Sequence, residues 1–270
     1  MSTPPHTRVA SARTFLFVPG HRPDRFDKAA GSGADLVVVD LEDAVAAEDK
    51  ERARRDAAGW PGIGHRTVVR VNAPGTPWFE ADLRMAAGLG LPVMVPKAED
   101  PAVLARIGSE CALIPLVETA LGAERAYEVC SVPGVVRAAF GNVDLAAQLG
   151  VAHDDVLALA HARSRIVLAS AAAGIGPPVD GVTTAVRDPE ALAADTAHAR
   201  RLGFSGKLCI HPAQIAPVAA GFAPTEGELR WAHSVLDAGE AVTAVDGHMV
   251  DKPVLERARR IVGQAGGTPG

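Results

Sequence analysis

Acids and bases in this sequence gather just past the ends of short apolar runs. Asp40-Leu41-Glu42-Asp43 closes one run, Arg70 lies late in another, and Lys97 follows a third. Glu118 closes a fourth, Gly141-Asn142-Val143-Asp144 follows a fifth, and His211 follows the last. Two carboxylates with open positions around them suit Mg²⁺, a hard ion that keeps several exchangeable oxygen ligands. Glu118 and Asp144 are about one βα repeat apart for a chain of this length, so neighbouring strand ends could present them to one ion. Each could equally cap the helix that follows it. Arg70 reads two ways: a fork for a substrate carboxylate, or the partner of an acid in the Asp40–Asp43 cluster. That cluster, with Glu42 and Asp43 in it, needs a cation or an arginine nearby, because grouped acids repel. Arg22, Arg25 and Lys28 open the helical run after Pro19-Gly20. Positive charge at a helix start is unfavourable without an anion, so a phosphate-bearing ligand or plain solvation would explain them. Asp251 precedes Pro253 and reads as a helix cap or as an acid/base. His211 reads as a structural hydrogen-bonding group. There is no G-x-S-x-G for a serine hydrolase.

These residues need a frame that brings strand ends together. The apolar runs Thr14–Val18, Leu36–Asp40, Val68–Val71, Val93–Val95, Leu113–Val117, Val135–Phe140, Pro178–Val182 and Lys207–Ile210 make eight candidate strands. Most are continuously apolar, as in a parallel sheet covered by helices. Pro115 counts against the fifth as a central strand, but its flanks fit. Helical runs are expected at Arg22–Ala30, Glu48–Ala57, Trp78–Gly88, Pro101–Ile107, Ala120–Cys130, Asp155–Ala173, Asp188–Leu202 and Glu226–Ala238, the last opening on a Thr225/Glu228 capping box. Alternating β and α units predict an α/β fold, a (β/α)₈ TIM-type barrel with its site at the C-terminal strand ends. The first βα turn lacks G-x-G-x-x-G, which disfavours a doubly wound nucleotide fold. The expected organisation is a loose tail over 1–11, a barrel over 12–238 and a C-terminal lid or arm over 239–270.

Bulk composition is that of an ordinary globular protein. The 270 residues are 48% apolar and 22% charged, with net charge −5. That is no nucleic-acid footprint. The three cysteines are widely spaced in apolar stretches, which fits buried, reduced thiols and a cytoplasmic protein. No run is long and apolar enough to predict a membrane helix.

The ordered set Phe17-Val18-Pro19-Gly20, Asp40-Leu41-Glu42-Asp43-Ala44-Val45, Arg70-Val71-Asn72, Pro96-Lys97-Ala98-Glu99, Pro115-Leu116-Val117-Glu118-Thr119, Gly141-x-x-Asp144-Leu145, Ile210-His211-Pro212-x-Gln214-Ile215 and Met249-Val250-Asp251-x-Pro253-Val254 resembles the citrate lyase β-subunit and malyl-CoA lyase group of the HpcH/HpaI aldolase superfamily. The resemblance implies a Mg²⁺-dependent carbon–carbon lyase, with Mn²⁺ as a substitute ion. Glu118 and Asp144 would hold the metal, with Glu42 and Asp43 around it. Arg70 would bind the carboxylate of an oxo acid. Arg22, Arg25 and Lys28 would lie near the phosphates of CoA, the carrier of the acyl substrate. Asp251 would be the acid/base, reaching a neighbouring subunit of a homotrimer or hexamer. An acyl-carrier protein could replace CoA. Val143 departs from the family, which often has an acid there. The alternatives are an HpaI-like aldolase acting on free 4-hydroxy-2-oxo acids, and a non-catalytic acyl-thioester-binding subunit.

Overall fold

The computed structural model describes residues 5–64, 66–238, 244–245, 248–249 and 251–266. They fall into two compact units, Met1–Gly221 and Phe222–Gly270.

The first unit is a closed barrel of eight parallel strands in sequential order. They are β1 (Thr14–Pro19), β2 (Leu36–Asp40), β3 (Thr67–Arg70), β4 (Val93–Val95), β5 (Leu113–Val117), β6 (Arg137–Phe140), β7 (Gly176–Asp180) and β8 (Gly206–Cys209). β1 pairs with both β2 and β8, which closes the ring. Closure leaves no strand edge open, and helices cover the outside, so β2, β3, β5, β6 and β8 are buried along their whole length. Phe15, Val38, Val68, Met94, Ile114, Ala139 and Leu208 fill the interior. This is a packed barrel core rather than a pore.

Pro115 sits inside β5, in register with Val95 of β4, because the ladder to β6 steps over it. Leu113 bridges Val135, and pairing with β6 resumes at Leu116↔Ala139. β7 starts and ends earlier than the apolar pattern predicts: past Asp180, the Val182 amide leaves the ladder and donates to the side-chain oxygen of Asn142. The run Ala120–Cys130 is two helices, Ala120–Glu124 and Ala126–Cys130, broken at Arg125. The run from Asp155 becomes helical only at Ala160, because the Asp155 carboxylate holds a turn by accepting from the Leu157 and Ala158 amides. Two helices escaped the sequence pattern, Asn142–Leu149 and Ile215–Phe222.

The expected loose tail over 1–11 is corrected at Pro5–Ser11, which form a helix. Val9 is fully buried in the barrel cluster and its carbonyl accepts from Arg137, contacts too distant in sequence to be read from a local pattern. All three cysteines are buried and free. No described helix is long and apolar enough to cross a membrane.

In the second unit the helix Glu226–Ala238 packs on the helix Lys252–Gly266 through Ala232, Val235, Leu255, Ala258 and Ile261. The first opens on the expected capping box: Thr225 and Glu228 each accept from the other's amide, at 3.2 and 2.7 Å. The last 32 residues were assigned by sequence to a separate arm from 239. The compact unit begins earlier, at Phe222, because its first helix needs the second to bury its apolar face.

Candidate active site

The C-terminal ends of the strands open into a cavity of about 840 Å³. Asp40, Asp43, Arg70, Glu118, Asp144, Arg25 and Lys28 all line it. The sequence expectation that these residues converge is met by the barrel's geometry: each follows or ends a strand, and all eight strands deliver their C-terminal ends to one face.

Glu118 follows β5 and is 2% exposed. Its Oε1 accepts the Lys97 amide at 2.8 Å. Burial, reinforced by the charges of Glu42 and Asp144, pushes its pKa up to about 8. Gly141, at the end of β6, has no room for a side chain. A Cβ there would lie 2.4 Å from Glu118 Cβ and 2.7 Å from its Oε2. The glycine is therefore what lets the carboxylate turn into the cavity. Asp144 stands in the first turn of the helix Asn142–Leu149. Asn142 beside it is committed to structure: its amide group bonds the His153 carbonyl and both the carbonyl and amide of Val182. Val143 is 40% exposed and lines the cavity with an apolar surface.

Arg70 ends β3 and is buried, with Asp40 opposite it in the sheet register. The two form a bidentate pair, Nε to Oδ1 at 2.8 Å and Nη2 to Oδ2 at 2.7 Å. Nη1 faces Glu42 Oε2 at 3.2 Å and Asp43 Oδ2 at 3.5 Å. The contact to Glu42 is ionic without hydrogen-bond geometry, so Oε2 remains a buried acceptor with no donor. Phe17 packs on the guanidinium 4.9 Å from its ring centre. Burial alone would lower the Arg70 pKa, but Asp40, Glu42 and Asp43 outweigh it and raise it. Of the two sequence readings of Arg70, the structure shows the pairing with the acid cluster, and it places the guanidinium at the cavity wall. Asp40 also accepts the Glu42 and Ala44 amides, so the turn after β2 is built around it. The Gly20 amide bonds the Asp40 carbonyl at 2.8 Å, and a Cβ at Gly20 would collide with Leu41.

Two lysines complete the cluster, and the sequence reading gave neither a role. Lys50 Nζ is buried against the Leu41 and Glu42 carbonyls, at 2.9 and 2.7 Å. It shares the buried face of its helix with Ala53 and Ala57, a spacing that could have flagged it. Lys97 Nζ bonds Glu42 Oε1 at 3.1 Å. The acids Asp40, Glu42, Asp43, Glu118 and Asp144 gather here against Arg70, Lys50 and Lys97, and the crowding of carboxyls is part of what raises the Glu118 pKa. A divalent cation held by Glu118 and Asp144 would relieve that crowding and displace the Glu118 proton, and the donors are the hard oxygens Mg²⁺ prefers. The residues fit the ion.

The basic segment divides. Arg25 and Lys28 are exposed and line the cavity. Arg22 does not; it is locked to Asp24 by two bonds of 2.9 and 2.7 Å. Its neighbour in sequence answers its charge, so the expectation that it faces the phosphates with the other two is corrected. His211 lines the cavity, with Nδ1 accepting the Ala213 amide at 3.1 Å, the structural role expected of it. Asp251 caps the last helix, its Oδ1 accepting the Val254 amide at 3.1 Å.

Residues 13–212 match the model of the HpcH/HpaI aldolase/citrate lyase family. The chain is 39% identical to a citrate lyase subunit beta-like protein of Deinococcus radiodurans, over 97% of this chain and 99% of that one. It is 35% identical to a (3S)-malyl-CoA thioesterase of Cereibacter sphaeroides, over 94% of each. Among solved structures it resembles CitE of Mycobacterium tuberculosis in complex with magnesium, acetoacetate and coenzyme A, with a TM-score of 0.85, 38% identity, and coverage of 95% of this chain and 99% of that one. With a carboxylate-rich site at the mouth of an eightfold barrel and likeness over nearly its whole length, this chain belongs to the HpcH/HpaI aldolase/citrate lyase family of enzymes, among its citrate lyase β-subunit-like members.

Proposed function

We propose that this protein is a Mg²⁺-dependent carbon–carbon lyase that splits a β-hydroxyacyl-CoA ester, of the citryl-, malyl- or citramalyl-CoA kind, into an oxo acid and an acyl-CoA. The observation that carries this is the convergence of Glu118, Asp144 and Arg70 on one cavity. Mycobacterial CitE, which shares the fold at 38% identity, was solved with magnesium, acetoacetate and coenzyme A. Glu118 and Asp144 would hold the ion, Mg²⁺ or Mn²⁺, with Glu42 and Asp43 around it. When bound, the ion supplies Lewis-acid polarisation of the oxo-acid oxygens. Arg70 orients the acid's carboxylate and adds positive potential beside it. Arg25 and Lys28 attract the phosphates of CoA. In cleavage Asp251 delivers a proton to the acyl α-carbon, and in condensation it removes one. It does so from a neighbouring copy in a homotrimer or hexamer, with the C-terminal unit as the lid. The enzyme works in the cytoplasm.

The basic pair in the cavity favours a phosphate-bearing thioester over a free 4-hydroxy-2-oxo acid. The test is to incubate purified protein with malyl-, citramalyl- and citryl-CoA and follow acyl-CoA, free CoA and oxo acid by mass spectrometry, with and without EDTA. One ester should yield acyl-CoA and oxo acid in equal amounts, lost with EDTA and restored by Mg²⁺. Release of free CoA and intact hydroxy acid would instead indicate thioester hydrolysis, as the Cereibacter relatives' name describes. Cleavage that ignores EDTA, or that accepts only free acids or a carrier-protein ester, would refute the CoA-lyase reading.

A further inference from the structure

The geometry points to Lys97 as a positioning residue that holds two carboxylates at once, Glu118 by its backbone and Glu42 by its side chain. The inference rests on the proposed metal and oxo-acid sites. Lys97 is the one non-glycine residue with positive φ among the described residues, at 49°. Left-handed backbone is unfavourable for a side-chain-bearing residue, and such conformations cluster where they serve a site. Here the consequence is visible. β4 ends at Val95, and Ala98 already donates back to the sheet at the Leu116 carbonyl. Between them the left-handed turn takes the Lys97 amide out of the ladder and aims it at Glu118 Oε1, 2.8 Å away. Gly141 presses the same carboxylate from the other strand. Glu118 is thus held between an amide and a glycine, leaving Oε2 for a ligand.

The ammonium has a separate task. It holds Glu42 Oε1 at 3.1 Å while Oε2 of the same carboxylate stands 3.2 Å from Arg70 Nη1. Arg70 Nε and Nη2 are both committed to Asp40, and Nη1 makes only a 3.5 Å bond to Asp43 and an ionic contact with Glu42 that lacks hydrogen-bond geometry, so Nη1 is the edge an incoming carboxylate can take over. Without the ammonium, Glu42 would close that contact into a full hydrogen bond and compete with the oxo acid. Lys97 holds Glu42 back from doing so. Its N–H is engaged by Glu118 and its Nζ by Glu42, so it acts through those two carboxylates.

The two tasks separate by substitution. Lys97→Gly keeps the left-handed turn and the amide but loses the ammonium. Lys97→Arg keeps a cation on the same backbone. Lys97→Val loses the cation and disfavours the turn, since a β-branched residue resists positive φ. Isothermal titration calorimetry with Mg²⁺ alone reads the first task, and the KM for the oxo acid in the condensation direction reads the second. We expect Lys97→Gly to bind Mg²⁺ within about twofold of wild type, with KM raised about tenfold and thermal stability unchanged or improved. Lys97→Arg should keep KM within about threefold, and Lys97→Val should weaken Mg²⁺ about tenfold beyond the glycine variant. Equal Mg²⁺ affinity in the valine and glycine variants overturns the backbone role. An unchanged KM in Lys97→Gly overturns the side-chain role. If Lys97→Val fails to fold, the contrast between Lys97→Gly and Lys97→Pro, which lacks the amide, decides the first point. Absence of Mg²⁺ binding to the wild-type chain overturns the metal site itself and this inference with it.

Discussion

Two buried arginines mark the two ends of the barrel, and they solve opposite problems. Arg70, at the C-terminal end, is surrounded by Asp40, Glu42 and Asp43, which raise its pKa above the ordinary value. Arg137, the first residue of β6, is fully buried at the N-terminal end, with no carboxylate bonded to it among the described residues. It donates instead to the carbonyls of Val9, Ala12, Pro177 and Pro178 and to the Ser205 hydroxyl. Burial pushes its pKa down to about 9. One end concentrates charge around an opening, where repulsion among acids can be relieved by a ligand. The other spends a cation tying together three chain segments, at Val9 and Ala12, at Pro177 and Pro178, and at Ser205. Barrels of this kind divide their labour in this way, with chemistry at the C-terminal face and stability at the other.

The contrast can be broken or sharpened by substitution. The largest effect is expected from Glu118→Gln, which should lower kcat/KM by about 10³-fold and abolish Mg²⁺ heats in calorimetry. The same variant should be more stable than metal-free wild type at alkaline pH. The Glu118 pKa is raised from 4.5 to about 8 on folding, so the folded metal-free chain holds its proton more tightly than the unfolded one. Stability is then lost as pH rises from about 4.5 through about 8, and a neutral amide removes that loss. Urea titrations at pH 5 and pH 9 in EDTA measure it. A glutamine variant less stable at pH 9 would show that Glu118 supports the fold rather than the site.

Arg70→Ala comes next. It leaves Asp40 buried and unpaired, which should cost about 3–5 kcal/mol in urea unfolding as well as abolishing turnover. Arg137→Met should cost about 1–3 kcal/mol for each carbonyl left without a donor, while leaving Mg²⁺ affinity unchanged. Loss of Mg²⁺ binding in a folded Arg137→Met protein would dissolve the division between the two ends. A smaller effect is expected from the double variant Arg25→Ala, Lys28→Ala: the KM for acyl-CoA should rise about 5–10-fold at low salt and converge on wild type as ionic strength rises. Arg22→Ala should be the smallest, with KM within about twofold, because Asp24 already answers its charge and an exposed pair contributes little.

Much of this was legible in the residues themselves. Continuous β-branched runs between helical runs dictate a parallel sheet, and the positions of β2, β4 and β5 follow from the apolar pattern to the residue. The acids at the strand ends could be picked out because carboxylates are costly to bury without a purpose. What the pattern hid depended on partners far away in the chain. Pro5–Ser11 is helical because Arg137 and the core hold it. Lys97 adopts a left-handed turn whose amide meets Glu118, and Lys50 buries its ammonium under the turn after β2.

The amino-acid order alone determined the class of fold, the face that carries the chemistry and the acids on it, because periodicity and burial cost are local properties. Tertiary structure decided how the charges divide among themselves. Arg70 went to Asp40 and Lys97 to Glu42, while burial, Glu42 and Asp144 raise the pKa of Glu118. Which cation answers which acid depends on distances set only when the barrel closes.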